Sequence, residues 1–327
     1  MKFAVALLIT AFASLTVWGQ APTLHIVTEI PNLPSDLYYG NTKVKPLRLR
    51  PGTNTPITIN DADFFVNQQY VDFLSRFPDQ SGFNFWTAQI TGCGSDAVCI
   101  AGQRDNTSGA FFLSIEFQET GYLVERMYKV AYGDAAATST WGCPGACSGN
   151  ASHSISVPII RRSEFLPDTL EMSNGVIVGK PGWEALLDAN KAAYATDFVS
   201  RARFTTDFPA GMPASQFVDK LNTNAGNPLS QAERDQLVSD LTGGLKTRAQ
   251  VVRAVAEDPD LNSAEKNKAF VLMQYFGYLR RDVNTGPDTD FTGYDFWLQK
   301  LNNHGGDFHA AQMVRSFIVS GEYLNRF

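Results

Sequence analysis

The chain has 327 residues, and its 33 acidic side chains outnumber 27 Lys and Arg for a net charge of −6. That balance argues against nucleic acid and against anionic membrane surfaces as partners, since both demand a basic face. Its 23 Phe, 11 Tyr and 5 Trp are enough to fill the cores of two packed units.

Lys2 followed by the apolar run Phe3–Leu15 and then small residues has the form of a secretory signal peptide over 1–19. Cleavage is expected after Gly19, because Pro22 hinders the alternative site after Ala21. No later stretch is long and apolar enough to span a bilayer, so the mature chain is expected to be secreted, extracellular or periplasmic, with no transmembrane segment. Residues 20–62 form an extended arm, expected to lie on the first domain. Leu24–Val27 and Leu47–Arg50 alternate or run apolar between prolines and predict one or two short strands.

Asn60, Asp61 and Asp63 supply capping side chains before a helix in which Phe65, Val66, Gln69, Tyr70, Phe73 and Leu74 fall on one stripe. Pro78–Gly82 breaks it, and Phe83–Ile90 predicts a second helix. Ser108–Gly121 and Leu123–Tyr132 predict a third and a fourth, completing a module over 63–133. Residues 134–182 read as a Gly/Ser/Cys connector. Within it the β-branched runs Ser156–Ile160 and Gly175–Gly179 predict a small strand pair. Trp183 opens a long helix to about Arg201, and 183–327 is expected to be nearly all helix. Ser230 with Glu233 three residues on marks another helix start.

All four cysteines lie in loop-like sequence, Cys93 and Cys99 around Gly-Ser-Asp, Cys143 and Cys147 around Pro-Gly-Ala. An even count in an exported chain reads as disulfides, with three connectivities open. The short loops favour 93–99 with 143–147. Zinc would need all four thiolates reduced and convergent, which an exported setting disfavours.

The strongest feature is internal repetition. Phe65-Val66, Gln69-Tyr70, Phe73-Leu74 and Arg76 return as Phe270-Val271, Gln274-Tyr275, Tyr278-Leu279 and Arg281. Gly82, Phe85 and Trp86 return as Gly293, Phe296 and Trp297, and Ser114, Glu116 and Phe117 as Ser320, Glu322 and Tyr323. Three blocks in one order signal a duplicated helical-hairpin module, and repeated modules build surfaces. A degenerate middle copy (about 215–262) starts at Phe217-Val218-x-x-Leu221, replaces the last block with Asp258-x-Asp260-Leu261 and lacks the Gly-x-x-Phe-Trp block. The third copy spans about 268–327. The fold class is therefore mainly α, with duplicated helical hairpins, a short extended or β N-terminal arm and a small strand pair in the connector. Tyr70, Phe73, Trp86, Phe111 and Phe117 are expected to share one core, and Tyr275, Tyr278, Trp297, Phe317 and Tyr323 its copy.

These motifs resemble a bacterial family catalogued only as a domain of unknown function, numbered 4214, over Phe64–Tyr132 and Phe270–Tyr323. The resemblance implies an all-helical module of exported bacterial proteins, often joined to other extracellular domains, and brings no catalytic residues. The opening of the pattern is also similar to the linker domains of phycobilisomes, which are protein-bridging scaffolds.

Candidate chemistry is sparse. Asp282–Asp290 resembles an oxygen-rich calcium loop, but positions six and twelve of an EF-hand count fall on Pro287 and Gly293 instead of Gly and Glu. Asp288 and Asp290 remain candidate metal ligands, with capping of the next helix as their expected role. Glu116 and Glu322 recur because the module recurs, which requires no acid–base work, and Arg76 and Arg281 sit where a cation complements a helix end. His304 and His309 are five apart across two glycines, and Ser263-x-x-Lys266 stands without companion motifs. No cofactor is expected. The reading is a secreted, non-catalytic helical scaffold or protein-interaction module of the bacterial cell envelope, with a protein or cell-surface partner. Its loops at Cys93–Cys99 and Asp282–Thr292 are expected to carry the contacts. The alternatives are a carbohydrate- or calcium-dependent surface-binding module and a hydrolase with an unrecognised site.

Overall fold

The computed structural model describes residues 24–27, 36–39, 42–44, 49–50, 52–142 and 151–327. The expected signal peptide, its cleavage points, Cys143 and Cys147 lie outside them. Residues 1–47 and 48–327 form two separate units. In the first, β1 (Leu24–Val27), β2 (Asp36–Tyr39) and β3 (Thr42–Val44) make an antiparallel meander, with Leu24 opposite Tyr39 and Leu37 opposite Val44. Of the strand expected at Leu47–Arg50, only Leu49 and Arg50 are described, and Leu49 makes a bridge to Pro56.

The second unit is mainly helical. Its first copy of the repeat begins with α1 (Ala62–Leu74), which buries the expected stripe. Asp61 precedes it without capping a helix N–H; its carboxylate takes the Thr58 N–H at 2.7 Å and Arg50 at 2.8 Å. Asp79 does cap α2 (Gln80–Thr91), accepting the Gly82 N–H. The third helix starts far earlier than expected: α3 runs Ala97–Leu113, opened by Asp96 accepting from Val98 and Cys99. A disulfide joins Cys93 to Cys99 across the α2–α3 turn. Ser114 then caps the short α4 (Ile115–Gln118), and α5 (Gly121–Tyr132) follows, buried along almost its whole length.

The strand pair exists with a different partner. β4 (Asp134–Ser139) pairs antiparallel with β5 (His153–Pro158), Asp134 opposite Pro158 and Ser139 opposite His153. Asp-Ala-Ala-Ala-Thr-Ser has little strand propensity, so tertiary contacts hold it there. Phe291 donates its N–H to the Thr138 carbonyl at 3.1 Å, and the Ser139 hydroxyl donates to Asp295 at 2.6 Å. The run Val176-Ile177-Val178 turns back on itself instead, because Gly175 (φ 72°) and Gly179 (φ 92°) adopt left-handed backbone on either side of it. A helix that the sequence hides, α6 (Arg162–Ser173), precedes that turn despite Pro167 in its interior.

α7 (Trp183–Ser200), α8 (Ala202–Asp207), α9 (Ala214–Ala225), α10 (Gln231–Thr242) and α11 (Arg248–Ala256) lead to α12 (Pro259–Met273). Ser230 and Glu233 form the expected capping box on α10. Asp258 caps α12 by accepting from the Asp260 and Leu261 N–H groups, the position that Ser114 and Ser320 hold in the clear copies. α12 continues as a π-helical turn (Gln274–Leu279), then come α13 (Thr292–Asn303), α14 (Met313–Ile318) and α15 (Gly321–Leu324).

The two clear copies do not keep separate cores. The Phe73 ring meets Tyr278 edge-on at 5.2 Å, Phe112 stacks on Phe270 at 4.0 Å, and the Tyr278 hydroxyl donates to Gln69 at 2.9 Å. Positions 73 and 278 correspond in the repeat, as do 72 and 277. A β-carbon at Gly277 would lie 3.4 Å from the Asp72 carbonyl oxygen. Contacts between matched positions are what a twofold-like packing of the copies produces. One continuous core therefore includes aromatic residues of both copies.

Candidate functional site

Each clear copy builds the same cleft from the same residues. α1 and the turn after it supply Tyr70, Leu74, Arg76 and Asp79; α2 supplies Trp86; the α3–α4 corner supplies Phe111, Ser114 and Glu116. In the other copy these positions are Tyr275, Leu279, Arg281, Asp288, Trp297, Phe317, Ser320 and Glu322. The clefts measure about 220 and 250 Å³.

Backbone strain sets the first corner. Ser75 and Arg280, at matched positions, both adopt φ 53°, which ends the helix and directs the next residue back across the tyrosine. Arg76 lies 5.0 Å over the Tyr70 ring and Arg281 5.2 Å over Tyr275. Each guanidinium then forks onto its glutamate. Arg76 Nε and Nη2 reach Glu116 at 2.6 and 2.8 Å, and Arg281 reaches Glu322 at 2.5 and 3.1 Å. Arg281 is the more fully engaged. Its remaining donors go to Asp288 at 2.6 Å and to the carbonyls of Asp282, Val283 and Thr285, which fasten the longer loop of this copy.

The glycine of Gly-x-x-Phe-Trp is explained by the tyrosine. A β-carbon at Gly82 would sit 2.0 Å from the Tyr70 hydroxyl, and one at Gly293 2.6 Å from that of Tyr275. Burial, with Asp79 and Glu116 nearby and partly opposed by Arg76, pushes the Tyr70 hydroxyl up to about 12. Asp79 is held below the usual carboxylate range by the Ser81 hydroxyl and the Gly82 N–H.

The tryptophans were expected in the core, and they are only half-buried. Trp86 packs on Phe111 with ring centres 5.9 Å apart, and Trp297 on Phe317 at 5.7 Å. In each case the indole packs against the core and also lines the cleft. Phe85, beside Trp86, is 54% exposed.

The clefts differ in what covers them. Every residue lining the second belongs to its own copy of the repeat, whereas the first is also lined by Val178 from the turn after α6. The Val178 N–H points at Glu116 Oε2, 3.4 Å away. The side chain of Glu116 is 5% exposed, that of Glu322 34%.

The remaining candidates do not assemble a reaction centre. Asp288 is taken by Arg281, and Asp290 accepts the Thr292 N–H at the start of α13. Glu116 and Glu322 are each paired with an arginine of their own copy, a partnership that reading the carboxylates and arginines separately missed. Arg76 and Arg281 serve these glutamates, not the end of their own helix. His304 and His309 are both exposed, as are Ser263 and Lys266 on α12. No group of three or more metal-binding side chains is found among the described residues.

Two polar clusters outside the clefts escaped the sequence. Glu125 and Glu265 are sealed between α5 and α12, and burial, with Glu265 close by, pushes the Glu125 carboxyl well above the usual range. Lys129 meets Asp134 at 2.7 Å and Glu265 at 3.8 Å. Ser139, Asp295 and His153 also gather, but in the wrong order for a nucleophile. The serine donates directly to the aspartate, and His153 Nε2 lies 3.7 Å from the same carboxylate.

No protein-family model, no curated protein and no solved structure matches the chain.

Proposed function

We propose that the chain is a non-catalytic helical scaffold of the bacterial cell envelope, secreted, that binds a protein or cell-surface partner through its repeated clefts. The observation that carries this reading is the recurrence of the whole Tyr–Arg–Glu–Trp constellation as the lining of a cleft in both clear copies. Stability alone needs the core stripe; a cleft kept open at the same place twice serves contact with something else. A catalyst needs a nucleophile, base or metal held with a free valence, and here each cleft carboxylate is matched by an arginine. The disulfide and the lack, among the described residues, of any helix long and apolar enough to cross a membrane are compatible with export. The likeness of the repeat to the exported family of unknown function numbered 4214, and to phycobilisome linkers, belongs to the same proposal.

A carbohydrate-binding role is the second reading, favoured by one observation: both tryptophans line clefts instead of being sealed in the core. A broad panel of peptides and polysaccharides, scored in parallel for retention and for cleavage, tests the proposal. Retention without turnover is expected. Hydrolysis abolished by Glu116→Gln or Glu322→Gln overturns it.

A further inference from the structure

One wall of the first cleft comes from outside the repeat. Val178 lines it, and its backbone N–H faces Glu116 Oε2 at 3.4 Å. The segment that delivers it, Gly175-Val176-Ile177-Val178-Gly179, comes from outside the repeat, so Val178 meets the cleft's glutamate much as a residue of a bound peptide would. Gly175 and Gly179, both left-handed, let the three β-branched residues bend into place. What this segment offers is simple: an apolar, β-branched side chain and one N–H aimed at the glutamate.

The second cleft has the same receptor and, among the described residues, no such segment. Arg281 Nε and Nη2 hold Glu322 from one side, leaving the carboxylate partly exposed and able to accept a further hydrogen bond. The donors of Arg281 are spent on Glu322, Asp288 and loop carbonyls. An anionic ligand would therefore meet a carboxylate and a neutralised guanidinium, which disfavours it. A donor-bearing apolar ligand meets a matching acceptor beside Trp297 and Leu279.

We propose that the second cleft, between Tyr275, Trp297 and Glu322, binds a glycine-flanked, β-branched peptide segment of a partner protein in the way the first cleft holds Val178. This rests on the scaffold reading and names the chemistry of its partner. In the first copy the contact with the glutamate is made within the chain; in the second it is left to a partner.

The test is calorimetric titration of the full chain with the synthetic peptide Asn-Gly-Val-Ile-Val-Gly-Lys, which reproduces residues 174–180. One saturable site is expected. Ser316→Phe, which fills the second cleft from its rim, should weaken binding at least tenfold, whereas Leu245→Ser, exposed and outside both clefts, should leave it unchanged. Val178→Asp sets a second carboxylate against Glu116 and should expel the segment, raising the stoichiometry from one to two. Circular dichroism confirms that each variant retains its helical content. The proposal is overturned by no saturable heat at millimolar peptide, by binding that survives Ser316→Phe, or by an oligosaccharide that occupies the cleft where the peptide does not. The first two outcomes leave the scaffold reading standing, because the panel judges that reading separately by retention and turnover; the third favours the carbohydrate reading.

Discussion

Replacing Gly82 by alanine isolates the contact on which each cleft is built. The new methyl would lie 2.0 Å from the Tyr70 hydroxyl and 3.3 Å from its Cζ, so the ring has to retreat until the oxygen clears 3.0 Å. Phe111 packs edge-on at 4.7 Å and Tyr70 is 4% exposed, so that retreat disturbs a filled core. Overpacking of this kind costs about 1–3 kcal/mol. The alanine returns up to about 1 kcal/mol of helix propensity in α2. With the full propensity gain the net loss is up to about 2 kcal/mol. In a Tyr70→Phe background the offending oxygen is gone and the nearest ring carbon lies at a tight but tolerable distance, so Gly82→Ala should become neutral or stabilising by up to about 1 kcal/mol. The coupling between the two sites is then about 1–3 kcal/mol. Chemical denaturation followed by circular dichroism measures all four members of the cycle. Equal effects of Gly82→Ala in both backgrounds would refute the steric account. The matched pair Gly293 and Tyr275, with its 2.6 Å approach, should give a smaller coupling of the same sign.

Three further outcomes follow from the same geometry. Glu116→Gln should cost about 2–4 kcal/mol by leaving Arg76 only Asp79, 3.7 Å away, whereas Glu322→Gln should cost about 1 kcal/mol, because Glu322 is more exposed and Asp288 still pairs with Arg281 at 2.6 Å; parallel urea titrations compare them. Burial pushes the Tyr70 and Tyr132 hydroxyls up to about 12 from the ordinary value of 10.0, so the unfolded chain releases these protons first. Their contribution is fully present below pH 10 and is lost as pH rises towards 12; phenolate absorbance should lag behind that of the denatured protein across this window. Removing the Cys93–Cys99 bridge, which closes a loop with a sequence separation of 6, should cost about 2 kcal/mol, and proteolysis should find the α2–α3 turn first.

Much of the fold was legible because repetition and helical phase are local signals. The stripe on α1, the break at Pro78, the Ser230 cap and the long helix from Trp183 all follow from a few neighbouring residues. β4 was not legible, since Asp-Ala-Ala-Ala-Thr-Ser becomes a strand by pairing with β5 and by contacts to Phe291 and Asp295, more than 150 residues away in the chain. α6 was hidden by Pro167, and Val176–Val178 looked like a strand until the conformations of its flanking glycines were known. The cleft was half legible. Most of its members were visible as repeated residues, but the Arg76–Glu116 and Arg281–Glu322 partnerships span 40 and 41 residues, so spacing could not pair them. Recurrence of an arginine and a glutamate in both copies was the signal available to join them.

The central claim is that the second cleft takes a partner's segment at the side where Val178 stands in the first. A photo-crosslinking amino acid placed at position 316, at position 110 and at the exposed Leu245, in chains made by their native cells, tests it most directly. The account predicts one discrete adduct from position 316 and none from the other two, with the adduct competed by the Gly-Val-Ile-Val-Gly peptide. Equal labelling from all three positions, or an adduct from 110 but not from 316, would contradict it.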